Sequence, residues 1–346
     1  MQRFEHHFTV MGGPAGIILD AYDEELALAA ITAVQREVTR LEAKYSRYQP
    51  ESLASRINRA AGKGDAIRVD EETIGLLDFA DTLWRESDGL FDPTSGILRR
   101  AWDFGSDRPP RQETLEQLLP LVGWEQVHLD QLTVYLPQAG MELDFGGFVK
   151  EYAVDSACKR MQQMGVTNAL VNLAGDLAVI GTQGDGRPWR IGICGADHQK
   201  GAVSRIKLVG NALASSGDYE RCIELGGKRF GHVLHPATGW PVQGLTAVSI
   251  VAPQCLVAGA LATIAMLMPS QDALSWLAEV GLPWLAIGSG NQSVVTGNGM
   301  GEAQKTPPCR QGGAVMNSVR SSAADTAAYQ ASRPIPRRRA WHPSSR

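Results

Sequence analysis

The stretch Leu143-Asp144-Phe145-Gly146-Gly147-Phe148-Val149-Lys150-Glu151-Tyr152-Ala153-Val154-Asp155 concentrates the groups best suited to chemistry. A carboxylate precedes two glycines, and a lysine follows them in the first turn of an expected helix. Free N–H groups and the positive dipole end of such a helix suit a phosphate. Lys150 would add a point charge. A second segment, Gly231-His232-Val233-Leu234-His235-Pro236-Ala237-Thr238-Gly239-Trp240-Pro241, sets two histidines among two prolines and glycines. That composition favours a rigid loop, in which His232 or His235 could serve as a base or a metal ligand. A third, Leu213-Ala214-Ser215-Ser216-Gly217-Asp218-Tyr219-Glu220-Arg221, offers hydroxyls and amides in a tight turn. Each pattern alone also describes an ordinary glycine corner or a polar loop.

The periodicity indicates which elements would position these groups. Phe8–Met11 and Ala15–Leu19 read as two strands joined through Gly12-Gly13-Pro14. Ala27, Ile31, Val34, Val38, Leu41, Tyr45 and Tyr48 mark one face of a long helix that unwinds before Pro50. Asp70 is the expected cap of a helix that stops near Gly89. A loop follows at Phe91-Asp92-Pro93-Thr94-Ser95-Gly96, then a helix over 112–121. Gln126–Leu129 and Leu132–Leu136 form an expected hairpin. Met141–Phe145 reads as a short strand, and Ala169–Leu173, Leu177–Ile180 and Trp189–Cys194 as further strands. The class is α+β, with mixed, largely antiparallel β-structure flanked by helices.

Composition narrows the alternatives. The chain has 346 residues, 44% apolar and 20% charged, with a formal net charge of −4, which excludes a fibrous or disordered protein. Residues 301–346 carry +6 and the preceding 300 carry −10. We therefore expect one domain over 1–300 and a basic, disordered tail over 301–346. A balance this close to neutrality argues against nucleic acid as a partner. Leu245 to Met268 lacks charge and is long enough to span a bilayer. Pro253 divides it into a β-branched half and an Ala/Leu-rich half, so a buried strand and a buried helix are expected instead. The five cysteines form no CxxC pair, which argues against a disulfide framework or zinc cluster. The N-terminal residues carry neither a basic-then-apolar leader nor a lipoprotein cysteine, and a cytoplasmic location is expected.

The segments resemble the ApbE family, the FAD:protein FMN transferases, when read in order over residues 4–300. The matching stretches are Met11-Gly12-Gly13, Tyr45-Ser46-Arg47-Tyr48, Ser55-Arg56-Ile57-Asn58 and Gly89 through Leu98. They continue with Asp144 through Asp155, Val171-Asn172-Leu173-Ala174-Gly175-Asp176, Ser215-Ser216-Gly217-Asp218-Tyr219 and His232 through Gly239. The resemblance implies a T-fold-related flavin transferase domain that binds FAD in a cleft and uses Mg²⁺. FMN would pass to a Ser or Thr hydroxyl in a flavinylation motif of an acceptor protein, with AMP leaving. By position, Met11, Tyr48, Leu90, Phe91, Asp92, Asp144, Lys150 and Leu234 would line the FAD site. Gly147, through its carbonyl, and Thr263 would bind the metal. Thr263 and His232 are the catalytic candidates, His232 as the base for the acceptor hydroxyl.

The chain departs from the family's pattern at the metal. Where relatives carry Ala-Asp-Ala-x-x-Thr, this sequence reads Ala258-Gly259-Ala260-Leu261-Ala262-Thr263. Gly259 thus replaces the metal-binding Asp, one helical turn before Thr263. A glycine inside a helix costs about 1 kcal/mol against alanine, so no local reason recommends it. Glu142 or another nearby carboxylate is a candidate replacement. His235 also replaces an Asp and Ala174 a Gly, and the pair His232/His235 admits a softer metal site. An FAD-binding protein with impaired metal catalysis and an FAD pyrophosphatase are the alternatives to a transferase. In the impaired reading, Gly259→Asp should tighten Mg²⁺ binding.

Overall fold

The computed structural model describes residues 1–104, 108–194, 202–218, 222–225, 228–288 and 294–300. The tail over 301–346 lies outside the described residues.

Fifteen strands and seven α-helices are described. The strands are β1 (Gln2–Val10), β2 (Gly13–Ala21), β3 (Ile67–Arg68), β4 (His128–Asp130), β5 (Thr133–Tyr135), β6 (Ala169–Leu173), β7 (Asp176–Ile180) and β8 (Trp189–Cys194). They continue with β9 (Ala202–Leu208), β10 (Ala212–Gly217), β11 (Cys222–Leu225), β12 (Lys228–Gly231), β13 (Leu245–Ala252), β14 (Trp284–Gly288) and β15 (Val294–Gly297). The helices are α1 (Glu24–Tyr45), α2 (Leu53–Ala60), α3 (Glu71–Glu86), α4 (Gln112–Leu118), α5 (Val149–Gln163), α6 (Cys255–Leu267) and α7 (Ser270–Val280).

Eight strands form one sheet in the order β1-β2-β6-β7-β10-β13-β14-β15. Every neighbouring pair in it is antiparallel. Alternate residues serve two cores. On one face Ile17, Leu19, Val171, Val248 and Ile250 pack with α1, α5 and α6. On the other, Ile18, Leu170, Leu177, Val251 and Leu285 meet Trp189, Ile191 and Ile206 of the β8–β9 hairpin. A sheet covered on both faces has no polar side, and so all eight residues of β13 are buried. This explains the uncharged stretch from Leu245. Helix α6 is apolar all round because it packs against β10, β13, α5 and α7. Among the described residues no helix is long and apolar enough to cross a membrane.

Several local expectations meet their physical cause. The Asp70 side chain caps α3 by accepting from the Thr73 N–H, and Tyr48 lies beyond the end of α1. Helix α2 escaped the periodicity reading because it is short, although its Ser52 cap accepts from the Ser55 N–H. Met141–Phe145 is not a strand. Met141, Leu143 and Phe145 are buried in alternation, but the segment pairs with a side chain. Asn58 donates to the Leu143 carbonyl at 3.0 Å and accepts from the Leu143 N–H at 2.7 Å. Cys158, Cys222 and Cys255 are free thiols. Cys194 is disulfide-bonded, which the odd count and missing CxxC pair did not anticipate.

Candidate active site

A cleft of about 930 Å³ opens between the sheet, α5, α6 and the loops over 90–99 and 232–234. Its size suits a large ligand. Met11, Leu90, Phe91, Asp92, Asp144, Gly147, Lys150, His232, Leu234 and Thr263 all line it.

Two hairpin tips form one wall. Val10 pairs with Gly13 and Leu173 with Asp176, which leaves two-residue turns at Met11-Gly12 and Ala174-Gly175. All four turn residues have positive φ, as tight antiparallel hairpins require. Met11 is held at φ 52° while its N–H donates to Glu42 at 2.8 Å. The Ala174 N–H donates to the Pro14 carbonyl at 2.8 Å, locking the two tips together.

The loop after α3 presents Leu90 and Phe91. Asp92 holds that loop in shape rather than offering a free carboxylate. Its Oδ1 accepts from the N–H and hydroxyl of Thr94, and its Oδ2 accepts from the Trp124 N–H at 3.1 Å. Burial pushes the Asp92 carboxyl above its ordinary range. The Asp144 Oδ1 accepts from the Gly146 N–H at 2.9 Å, and its Oδ2 accepts from Arg47 at 3.0 Å and Arg99 at 3.3 Å. Gly96 permits this approach, since a Cβ there would lie 2.4 Å from that of Asp144. Arg47 and Arg99 are thus site cations that single-residue motifs did not reveal.

Tyr48 does not line the main cleft. It is 76% exposed and lies in an adjoining depression of about 640 Å³ with Arg47, Arg59, Arg99, Arg100 and Glu142. Arg47 donates to the Tyr48 hydroxyl at 3.0 Å and pulls its pKa down. His232 and Arg99 belong to both spaces, so His232 stands where cleft and depression meet. A bridge between Leu234 and Pro241 closes the loop after it. His235 is absent from the cleft wall. Its Nδ1 accepts from the Ala237 N–H at 3.2 Å, and burial lowers its pKa. Among the described residues no group of three or more His, Cys, Asp or Glu is placed to hold a metal.

The floor of the cleft carries its charge. Lys150 Nζ is 2.6 Å from Asp176 Oδ2, and the Asp176 Oδ1 accepts from the Ser215 N–H at 2.9 Å. Burial works against the Lys150 ammonium, but Asp176 and Glu151 outweigh it and raise its pKa. Beside them lies Glu151, buried on α5, whose Oε2 has no hydrogen-bond partner. Burial first, and then the Asp176 charge, push its pKa up to about 8. Asp155, one turn along α5, accepts from the Cys255 N–H at 2.8 Å and the Leu256 N–H at 2.9 Å, capping α6 across the interface. Burial raises the Asp155 pKa.

Gly259 has a structural reason after all. A Cβ at this position would lie 2.5 Å from Glu151 Cγ and 3.0 Å from its Cδ and Oε1. The bare helix face at 259 is the room that Glu151 occupies. Gly259→Asp would therefore collide with a buried side chain, and the expectation that it simply restores a site is corrected. Glu142 is no replacement at this point, because it pairs with Arg100 in the depression.

Comparisons with known proteins identify the family and the fold. The family model described as the ApbE family matches residues 11–285. The FAD:protein FMN transferase of Haemophilus influenzae is 30% identical over 257 residues, covering 70% of this chain and 73% of its own. That of Rhodobacter capsulatus is 29% identical over 281 residues, 80% of this chain, which spans only 53% of that longer protein. The crystal structure of the ApbE protein of Thermotoga maritima superposes with a TM-score of 0.79 at 28% identity, over 86% of this chain and 98% of that one. With a family match over most of its length and the same fold, the chain belongs to the ApbE family.

Proposed function

We propose that this protein is an FAD:protein FMN transferase, which moves FMN from FAD to a Ser or Thr hydroxyl of an acceptor protein and releases AMP. One observation carries the reading: a single cleft gathers the apolar walls, the cations and the helix start that a flavin pyrophosphate needs. Leu90, Phe91, Leu234 and Met11 offer apolar surface to the ring system. The glycine corner at Gly146-Gly147 and the first turn of α5 offer backbone N–H groups to the phosphates. Arg47 and Arg99 hold Asp144 and place positive charge beside that corner.

The transfer forms a bond between the acceptor oxygen and the FMN phosphorus and breaks the pyrophosphate bond, with the bridging oxygen leaving on AMP. His232 lines both the cleft and the depression, which supports its reading as the group that would take the hydroxyl proton. The Thr263 hydroxyl and Gly147 carbonyl, together with the unpartnered oxygen of Glu151, make a hard-oxygen set that fits Mg²⁺. When bound, Mg²⁺ supplies charge neutralisation for the pyrophosphate.

The test mixes the purified protein with FAD, Mg²⁺ and a small carrier bearing the acceptor motif, then inspects the denatured carrier for flavin fluorescence. A fluorescent carrier band is expected. AMP and FMN appearing without a labelled carrier would replace the transferase by a pyrophosphatase. Bound FAD with neither product would leave only a flavin binder.

A further inference from the structure

Helices α5 and α6 meet in a fixed register. Asp155 on α5 holds the first N–H groups of α6; Glu151 lies one turn earlier in α5 and Gly259 one turn later in α6. The Glu151 side chain crosses the bare face of Gly259, so its carbon chain fills the space that any side chain at 259 would enter. Thr263, one turn beyond Gly259, lines the same cleft as Glu151.

A buried carboxyl group is costly unless it is hydrogen-bonded, paired with a cation or bound to a metal. Glu151 is 8% exposed and its Oε2 has no partner. The neighbouring ammonium of Lys150 is taken by Asp176, whose other oxygen is taken by the Ser215 backbone. The Glu151 carboxyl meets the Asp176 carboxyl and its own backbone N–H, and it feels the Lys150 charge, but its Oε2 is left without a hydrogen bond. Glu151 lines the cleft together with Thr263 and Gly147, whose hydroxyl and carbonyl are the other hard oxygens available there.

We propose that Glu151 is the carboxylate ligand of a divalent-cation site in this cleft, supplied from α5 in place of an acid at position 259. Gly259 is then the second half of the same arrangement, kept without a side chain so that Glu151 can enter. The proposal rests on the flavin-transferase reading for the identity of the cleft. It explains both a glycine inside a buried helix and the unpartnered oxygen of the acid facing it. The cation class follows from the donors: a carboxylate, a hydroxyl and a carbonyl suit Mg²⁺ or Mn²⁺ rather than a soft metal.

The test uses the full chain and Mn²⁺ as the probe, with free Mn²⁺ followed by electron paramagnetic resonance in the presence of FAD. FAD binding is followed separately by quenching of flavin fluorescence. The wild type is expected to bind Mn²⁺, and Glu151→Gln to bind it at least roughly tenfold more weakly while FAD binding measured without added metal remains detectable. The double variant Glu151→Gly/Gly259→Asp, which returns the acid to α6, should recover Mn²⁺ binding to within about threefold, less than the loss expected for a missing supporting group. Wild-type affinity in Glu151→Gln would overturn the proposal, as would failure of the wild type to bind Mn²⁺. A folded double variant that does not recover would overturn it too. Mn²⁺ binding that depends on Glu151 in a protein that does not bind FAD would instead overturn the flavin reading and leave the metal site standing.

Discussion

Gly259→Ala should destabilise this protein even though it replaces glycine by alanine inside a helix. On propensity alone the change would gain about 1 kcal/mol. The added Cβ, however, would sit 2.5 Å from Glu151 Cγ, the middle of a buried side chain rather than its mobile end. Relieving such a contact in a packed interior costs about 1–3 kcal/mol. We expect a net loss of up to about 2 kcal/mol, or a few degrees in Tm at roughly 2–4 °C per kcal/mol for a large domain. In a Glu151→Ala background the collision vanishes and the propensity gain returns, so Gly259→Ala should then raise Tm. The sign reversal gives a coupling of about 2 kcal/mol, well above the few tenths expected for independent sites. Thermal melts of the four proteins followed by circular dichroism measure it. If Gly259→Ala raises Tm equally in both backgrounds, positions 151 and 259 do not compete for one space, and the reasoning about Glu151 fails with it.

Other perturbations test other parts of the structure. Asp155→Ala removes the acceptor for two N–H groups at the start of α6 and should cost about 2 kcal/mol, seen as a lower urea midpoint. Asn58→Ala leaves both backbone groups of Leu143 without their partner, so FAD titration should show weaker binding in a protein that still folds. Ala174→Gly relieves a left-handed alanine at φ 50° and should stabilise by about 1 kcal/mol in the same urea assay. The pH dependence follows from the cluster of Arg40, Lys44, Asp70 and Glu72. Burial opposes both carboxylates, but Lys44 with the Thr73 groups holds Asp70 at about 2, and Arg40 with Lys44 holds Glu72 at about 2. Folded values below the ordinary ones near 4 mean the stabilisation is complete above about pH 4 and is lost as pH falls toward 2. Lys44→Met should flatten that acid limb of the urea midpoint against pH, and an unchanged limb would assign acid lability elsewhere.

The long periodic elements were legible because one dominant face determined each. Six of the seven positions from Ala27 to Tyr48 do line the buried side of α1, and the break before Tyr48 follows from Pro50. Met141–Phe145 misled because its alternation reports burial, not a strand partner, and the partner turned out to be the side chain of Asn58. The site residues that the family resemblance implied line one cleft, except Tyr48, which a helix terminus leaves in the next depression. What the sequence hid was pairing across elements. Asp92 looks like a free acid until Thr94 and Trp124 close on it. Lys150 looks like a free phosphate ligand until Asp176 meets it. Gly259 looks like a loss until Glu151 is seen lying over it, 108 positions earlier in the chain.

The cross-helix cap made by Asp155 has a historical consequence. By fixing where α6 begins against α5, it makes positions 151 and 259 two doors into one room. A side chain at either position would claim the same space, so the two changes are poor separate steps. Adding the glutamate first crowds an occupied space. Removing the acid first leaves that space without a carboxylate. A lineage crossing between the arrangements must pass through one of these two impaired intermediates, so descendants on either side are held there. Position 151 should then track position 259 more tightly than it tracks either of its neighbours in sequence.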